Sequence, residues 1–368
     1  MKNSNKMIVN IGSTSWEARK GGAAALVREL VNHLEINNFN YINLEINSTE
    51  FQRGRNCYYS TTNDSLFKKN IKLFKKLNSI YKENKNLILI THNIPVLLFS
   101  FLWIKMKPRI KHFHYFHGPA YLEAKEEGSG IFSTLLIRFI ELLFYSSTRK
   151  LIFLSKHFHS LFKEKYFSKI DSIIVPYSIS SRPLPQMIIK RDSGSIFKML
   201  SVRRLQKRMG LDILIKACTL IECDFNLDIV GTGPEKEFLE KLITENELEN
   251  KVFLRGPLSD IELNEIIKEC NLTVMPTRSL EGFGISIIDS LVLGVPVLVF
   301  RVGGMPEIIE GLSKNLIVDE LSEEALAQRI NEFISNKFSL PEPLICRNYI
   351  LNNYSDTYNR LLKWMFTY

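Results

Sequence analysis

The chain has few of the marks of a secreted or membrane-spanning protein. Among 368 residues there are five cysteines, at positions 57, 218, 223, 270 and 346, with no C-x-x-C pair and no spacing of a disulfide framework. That excludes a disulfide-built scaffold, fits a reducing cytosol and leaves the thiols to packing. No run reaches the roughly 18 to 20 apolar residues of a membrane span. The nearest, residues 94–104, is much shorter, is followed by Lys105 and Lys107, and reads as a buried helix. The amino-terminal MKNSNKMIVNIGS has no secretory apolar core or cleavage site and enters a strand directly, so the protein is expected in the cytoplasm. Histidine is scarce, and the cluster His112, His114 and His117 lacks a partnered carboxylate or cysteine set, so no metal is expected there. No nucleic-acid module is recognisable, and aromatics are not interleaved with basic residues in a recurrent pattern, so no nucleic-acid partner is expected.

What is present describes a globular protein large enough for two domains, with 45% hydrophobic and 24% charged residues. Charge is divided unevenly. Residues 1–183 carry 27 Lys+Arg against 13 Asp+Glu, whereas the remainder carries 21 against 26. Much of the excess lies in residues 64–85, DSLFKKNIKLFKKLNSIYKENK, where Leu66, Phe67, Ile71, Phe74, Leu77 and Ile80 form one helical stripe and lysines take the other faces. Such a helix suits an anionic membrane surface, and it equally suits an ordinary solvated surface.

Apolar strand candidates at residues 7–11, 41–46, 87–91, 112–116, 151–154 and 173–175 alternate with helical segments, which predicts a parallel sheet covered by helices on both faces. The Ser- and Pro-rich stretch SSRPLPQMIIKRDSGS breaks this pattern and reads as a linker over 181–196. The plan repeats with strands at 197–202, 225–230, 252–254, 272–275 and 297–300. The expectation is an α/β protein with a domain at 1–180, a second at 197–345, and a final helical segment at 346–368.

The most informative stretch is residues 271–306, NLTVMPTRSLEGFGISIIDSLVLGVPVLVFRVGGMP. It reads as a buried strand, a helix closed by Gly294, and another buried strand. Ligands of such units bind at the carboxyl ends of the strands, where Glu281 stands beside Gly282, Phe283 and Gly284 at the helix entrance. Unpaired amides and the helix dipole there attract phosphate and oxygen-rich groups. Asp289 follows eight residues after Glu281, so two carboxylates could grip separate hydroxyl-bearing parts of one extended molecule.

EGFGISIID, followed by GVPV and GGMPE, resembles the E-x7-E region of retaining glycosyltransferases of family 4. The resemblance covers nearly the whole chain, most strongly from residue 197 onward. It implies the GT-B architecture, two Rossmann-like doubly wound domains facing across a cleft, with the last helix crossing back onto the first domain. It also implies that Glu281 contacts donor-sugar hydroxyls and that Asp289, one methylene shorter than the usual glutamate, holds the ribose.

Further segments extend the resemblance. Gly231-Thr232-Gly233-Pro234-Glu235 is similar to the family's G-x-G-P-E loop, and Pro234 suits a first helical position. SVRRLQKRMG resembles G-R-L-x-x-x-K-G, whose Arg and Lys neutralise the donor diphosphate. Arg204 matches the arginine, Met209 stands at the lysine position, and Arg208 or Lys207 is expected to supply the missing cation. Gly303, Gly304 and Glu307 fit the G-G-x-x-E loop that shapes the donor pocket. Lys20-Gly21-Gly22 resembles the glycine loop under the diphosphate. HFHYFHGP resembles the turn whose histidine, here His117, reaches the donor sugar, leaving His112 and His114 to packing or the surface.

The function implied by the resemblance is metal-independent transfer of a sugar, with retention, from a nucleotide-sugar donor to a hydroxyl of a glycan or lipid-linked acceptor. A UDP-sugar is the donor implied, with a GDP-sugar as the alternative, and no cofactor is needed. No two aspartates lie two residues apart, so the D-x-D metal motif of GT-A enzymes is absent. Two rival readings stand beside it: a GT-B synthase or phosphorylase acting on soluble sugar phosphates, and a degenerate GT-B binding subunit.

Overall fold

The computed structural model describes residues 6–12, 22–45, 56–58, 64–92, 100–166, 169–181, 184 and 196–367. The chain forms two compact units, one comprising Met1–Arg182 with Tyr354–Tyr368 and the other Pro183–Asn353.

The first unit holds strands β1 (Met7–Gly12), β2 (Tyr41–Glu45), β3 (Asn56–Tyr58), β4 (Leu87–Thr91), β5 (Lys111–Phe116), β6 (Lys150–Phe153) and β7 (Asp171–Ile174). They make one sheet in the order β3-β2-β1-β4-β5-β6-β7, and every pairing is parallel. The second unit holds β8 (Phe197–Val202), β9 (Phe225–Val230), β10 (Val252–Gly256), β11 (Leu272–Met275), β12 (Val297–Phe300) and β13 (Ile317–Val318), all parallel in the order β10-β9-β8-β11-β12-β13. Both sheets are doubly wound. Their order reverses between β1 and β4 in one and between β8 and β11 in the other, the points where such sheets open a crevice.

Helices cover both faces of a parallel sheet, so inner strands bury consecutive side chains. All of Leu87–Thr91 and Val297–Phe300 are buried. These are the unbroken apolar runs that mark strands in the sequence. β3 and β13 escape that reading because they are short edge strands of three and two residues.

Three helical expectations change. The helix Leu66–Glu83 begins at Ser65, whose hydroxyl accepts from the Lys68 amide at 3.3 Å. Its buried stripe is Asn70, Leu73, Leu77 and Ile80, so Phe67 and Ile71 are left exposed. The apolar run 94–104 falls partly outside the described residues. Within it the helix Ser100–Met106 buries Trp103 and Ile104 but exposes Leu102. The carboxyl-terminal helix is two, Pro343–Tyr354 and Thr357–Thr367, broken at Ser355 and Asp356.

The second of those helices completes the first unit. Tyr358, Leu361 and Met365 are fully buried, Trp364 meets Phe113 edge-on at 5.2 Å, and Phe366 stacks on Phe39 at 5.8 Å. The linker expected at 181–196 lies outside the described residues except for Ser181, Leu184 and Ile196. Among the described residues no helix is long and apolar enough to cross a membrane.

Candidate functional site

In the second unit, Glu281 lies in the loop after β11, beside the point where the strand order reverses. Its carboxylate accepts a charge-assisted hydrogen bond from Nη1 of Arg203 at 2.9 Å. Arg203 follows β8, and its side chain is 7% exposed against 15% for Glu281. Its other terminal nitrogen donates to Sδ of Met305 at 3.5 Å. Burial draws the Arg203 pKa below the usual range and nearby Arg208 adds to this, whereas Glu281 opposes both.

The loops on the two sides of the reversal are laced together by the main chain. The Arg278 amide donates to the Arg208 carbonyl at 2.9 Å, and Nη1 of Arg208 donates to the Leu280 carbonyl at 3.1 Å. Arg278 also pairs with Asp212. Leu280, immediately before Glu281, has φ of +48°. A branched residue in this left-handed conformation is strained, and such strain collects at sites where the backbone is over-determined.

The glycine loops fasten this arrangement. The Gly304 amide donates to the Glu281 carbonyl at 2.9 Å, while Gly303 has φ of +62° and a Cβ there would lie 1.9 Å from the same oxygen. Gly231, at φ of +148°, presses on the Arg203 carbonyl, where a Cβ would come within 1.8 Å. Gly233 packs in the same way on the Leu205 carbonyl. These glycines therefore let four loops close on one another around Arg203 and Glu281.

The helix Ile285–Val292 starts after Gly284 with no side chain capping its amides. The Ile287 amide is met by the Gly284 carbonyl at 2.9 Å, and the helix entrance faces the same sheet edge. Gly282 is half-buried there, Asp289 is half-buried in the helix, and Phe283 turns its ring into the core.

Other expected residues are spread unevenly. Arg204 is exposed, as is Lys207; the arginine that reaches Glu281 is Arg203, which the sequence pattern did not single out. Met209 is buried with its sulfur 3.9 Å from the Thr277 hydroxyl, so the position expected to carry a cation faces the core. Arg208 is the half-buried cation beside Glu281's loop. Glu307 is exposed.

In the first unit, Gly21 lies outside the described residues and Gly22 opens the helix Gly22–Ile36. His117 follows β5, and its Nε2 is 3.2 Å from Nδ1 of His92, the residue after β4. The chain of contacts continues inward. His92 Nε2 meets Asn10 Oδ1 at 2.9 Å, Asn10 donates to Asn43 Oδ1 at 2.8 Å, and Asn43 donates to Glu45 at 2.7 Å. Five polar side chains on or immediately after four neighbouring strands thus form one line across the sheet, and all but His117 are fully buried. Burial pushes His117 down to about 4 and His92 well below its usual value. His112 and His114 are also buried, both against the Thr91 hydroxyl at 2.9 and 2.8 Å. Among the described residues no group of three or more His, Cys, Asp or Glu could hold a metal ion.

Residues 190–350 match the family described as Glycosyl transferases group 1. In sequence the chain is 28% identical over 138 residues to the amylovoran biosynthesis glycosyltransferase AmsK of Erwinia amylovora, an alignment taking in 35% of this chain and 34% of that protein. The chain spans well under half the length of this and the other curated relatives it matches most strongly. In structure it is similar to the sucrose-phosphate synthase of Thermosynechococcus elongatus, with a TM-score of 0.81, 16% identity, and coverage of 98% of this chain and 99% of the other. It is also similar to Anabaena HepE in complex with UDP-glucose, with a TM-score of 0.74, 16% identity, and coverage of 98% and 100%. The fold is therefore GT-B.

Proposed function

We propose that the protein is a glycosyltransferase that moves a sugar from a nucleoside diphosphate donor to a hydroxyl of a glycan or lipid-linked acceptor. The observation that carries this reading is the Arg203–Glu281 pair, held at the uncapped entrance of Ile285–Val292 by loops that only glycine allows. A carboxylate fixed by a buried guanidinium is ready to accept hydrogen bonds from sugar hydroxyls. Arg208, Arg204 and the helix amides supply positive potential for a departing diphosphate, the charge that develops as the glycosidic bond breaks. The match of residues 190–350 to Glycosyl transferases group 1 supports the same reading.

The reaction is read as retaining and independent of metal. The donor phosphate takes the acceptor proton, and no side-chain base is assigned. His117, kept neutral by burial, offers a ring nitrogen to the donor sugar. Asp289 holds the ribose, with Gly231, Gly233 and Gly282 shaping the backbone around the nucleotide. A UDP-sugar is the favoured donor, supported by the UDP-glucose complex of the similar Anabaena protein, and a GDP-sugar is the alternative. Similarity to the amylovoran enzyme supports a role in bacterial surface polysaccharide or glycolipid assembly on the cytoplasmic side of the membrane.

The test is calorimetry of the full chain against UDP- and GDP-sugars, first without and then with a divalent ion, followed by donor turnover. One nucleotide sugar is expected to bind without metal, and Arg208→Ala and Arg204→Ala are each expected to weaken it roughly tenfold, the scale of one charge-assisted hydrogen bond. Absence of binding to every nucleotide sugar sinks the reading.

A further inference from the structure

The helix Ile131–Ser147, IFSTLLIRFIELLFYSS, is built the wrong way round for a water-facing helix. Its inner face joins the core through Glu141, Phe144 and Tyr145. Its outer face is apolar as well: Phe132, Leu135, Leu136, Phe139, Leu142 and Leu143 are between 36% and 91% exposed. Their spacing of three, one, three, three and one places them on one continuous stripe. Scattered exposed leucines need no explanation, but a contiguous stripe of large side chains marks an interaction surface.

The neighbouring helices extend the surface and give it a charge. Ser100–Met106 packs beside this helix and exposes Leu102 and Met106, and Leu66–Glu83 packs beside Ser100–Met106 and exposes Phe67 and Ile71. Together the three helices carry eight basic residues, seven of them lysines, against two glutamates, and one of those, Glu141, is buried. The helix Ala120–Glu126, which also packs on Ile131–Ser147, adds Lys125 against Glu123 and Glu126, so the basic border lies on the flank of Ser100–Met106 and Leu66–Glu83. Lys68, Lys75, Lys105 and Arg138 are exposed.

We infer that Ile131–Ser147 seats the protein on an anionic lipid bilayer, with its outer face sunk into the interfacial zone and the lysines of the adjoining helices against the headgroups. An apolar stripe bordered on one flank by lysines suits a helix lying in the membrane plane. At 17 residues with an acidic side chain on its inner face, this helix lies along the bilayer and does not span it. A second copy of the chain is a poorer occupant, because the four helices around this face are net positive and two copies would repel.

The position of the helix connects docking to the proposed chemistry. It ends at Ser147, and β6 begins at Lys150, at the amino edge of the sheet. Running back from there for about 25 Å, at 1.5 Å per residue, its start reaches the opposite edge, where β5 delivers His117. The exposed Phe132 therefore lies toward the edge that would receive an acceptor. Taken with the glycosyltransferase reading, on which this last step rests, the acceptor is lipid-linked and is met at the bilayer surface.

The experiment is flotation of the full chain with vesicles of phosphatidylglycerol and phosphatidylcholine, and with phosphatidylcholine alone, at low and high salt. The protein is expected to float with the anionic vesicles, less so at high salt. The triple variant Phe132→Ser, Leu136→Ser, Phe139→Ser is expected to lose at least tenfold in bound fraction with an unchanged melting temperature, since all three side chains face solvent. In Phe132→Trp the indole emission is expected to shift to the blue on anionic vesicles. Equal flotation of the triple variant, an unshifted Trp emission, or absence of vesicle binding in a protein whose dimer the triple variant converts to monomer each overturns the proposal. Calorimetry on the same preparations separates the two readings. Nucleotide-sugar binding without vesicle binding removes the docking surface alone, and vesicle binding without nucleotide-sugar binding removes the catalytic reading and leaves the surface standing.

Discussion

Arg203 and Glu281, 78 residues apart in the chain, meet at 2.9 Å across the point where the strand order of the second unit reverses. Neither is fixed by its own loop alone. Arg203 is held down by Gly231 and Met305, and Glu281 by Gly304 and the Arg208–Leu280 contact. The pair is thus the meeting point of every loop at that sheet edge that carries a sequence motif.

Changing Glu281 separates its charge from its contact. Glu281→Gln keeps an acceptor for Arg203 but not the opposing charge, so the melting temperature is expected to fall less than in the alanine variant while sugar transfer falls about 100-fold, the scale of a lost transition-state contact. Glu281→Ala removes charge and acceptor together and is expected to cost ~3–5 kcal/mol of stability. Thermal melts and donor turnover measured on both variants check this, and full turnover by the glutamine variant removes Glu281 from the chemistry.

Gly303→Ala introduces both a left-handed conformation and a methyl group 1.9 Å from the Glu281 carbonyl. The handedness alone costs about 1–2 kcal/mol, and relief of the clash must move Glu281. The expected outcome is a lower melting temperature together with loss of transfer. Gly128→Ala, at φ of +82° with nothing within 4 Å of the added methyl, is expected to show the handedness cost alone.

His92 fixes the ring of His117. His92→Phe preserves a ring beside Tyr115, whose centroid lies 4.8 Å away, but leaves His117 and the Asn10 oxygen without their partner. Transfer is expected to fall roughly tenfold, one buried hydrogen bond, with nucleotide affinity unchanged because the nucleotide is assigned to the second unit. Equal losses in both quantities would show a general disturbance of the fold.

Three buried histidines and the half-buried His117 make the first unit acid-sensitive. Burial depresses His92, His112, His114 and His117, with His112 at about 3 and His117 at about 4. A group whose folded pKa lies below its unfolded value of about 6.5 contributes stability that is fully present above 6.5 and is lost as pH falls toward the folded value. Melting temperature is therefore expected to drop by roughly 5 °C or more between pH 7 and pH 4.5. His112→Asn is expected to flatten that slope. A melting temperature independent of pH over this range contradicts the placement of the rings.

The inner strands were readable because covered parallel sheets bury consecutive residues, and Glu281 with its glycines was readable because the loop chemistry is contiguous. Arg203 was not. It adjoins Arg204 at the end of a strand whose neighbouring residues Met199, Leu200 and Ser201 are all buried, so alternation gives no parity to choose between the two arginines. The line from His117 to Glu45 was hidden for another reason, since its members come from four separate strands. A signal was nonetheless present in Asn10 inside MIVNIG and in Asn43 and Glu45 inside YINLE, polar residues set within buried runs. The outer face of Ile131–Ser147 was invisible because periodicity shows that a stripe exists, and only packing shows whether anything covers it.

The segment Tyr354–Tyr368 gives the chain an order of events as well as a shape. The second unit is continuous in sequence, whereas the first needs Tyr358, Leu361 and Met365 to fill its interior. During synthesis from the amino end, the unit that starts first is therefore the one that finishes last. Its sheet emerges early but lacks those side chains until the whole of the other unit has been made.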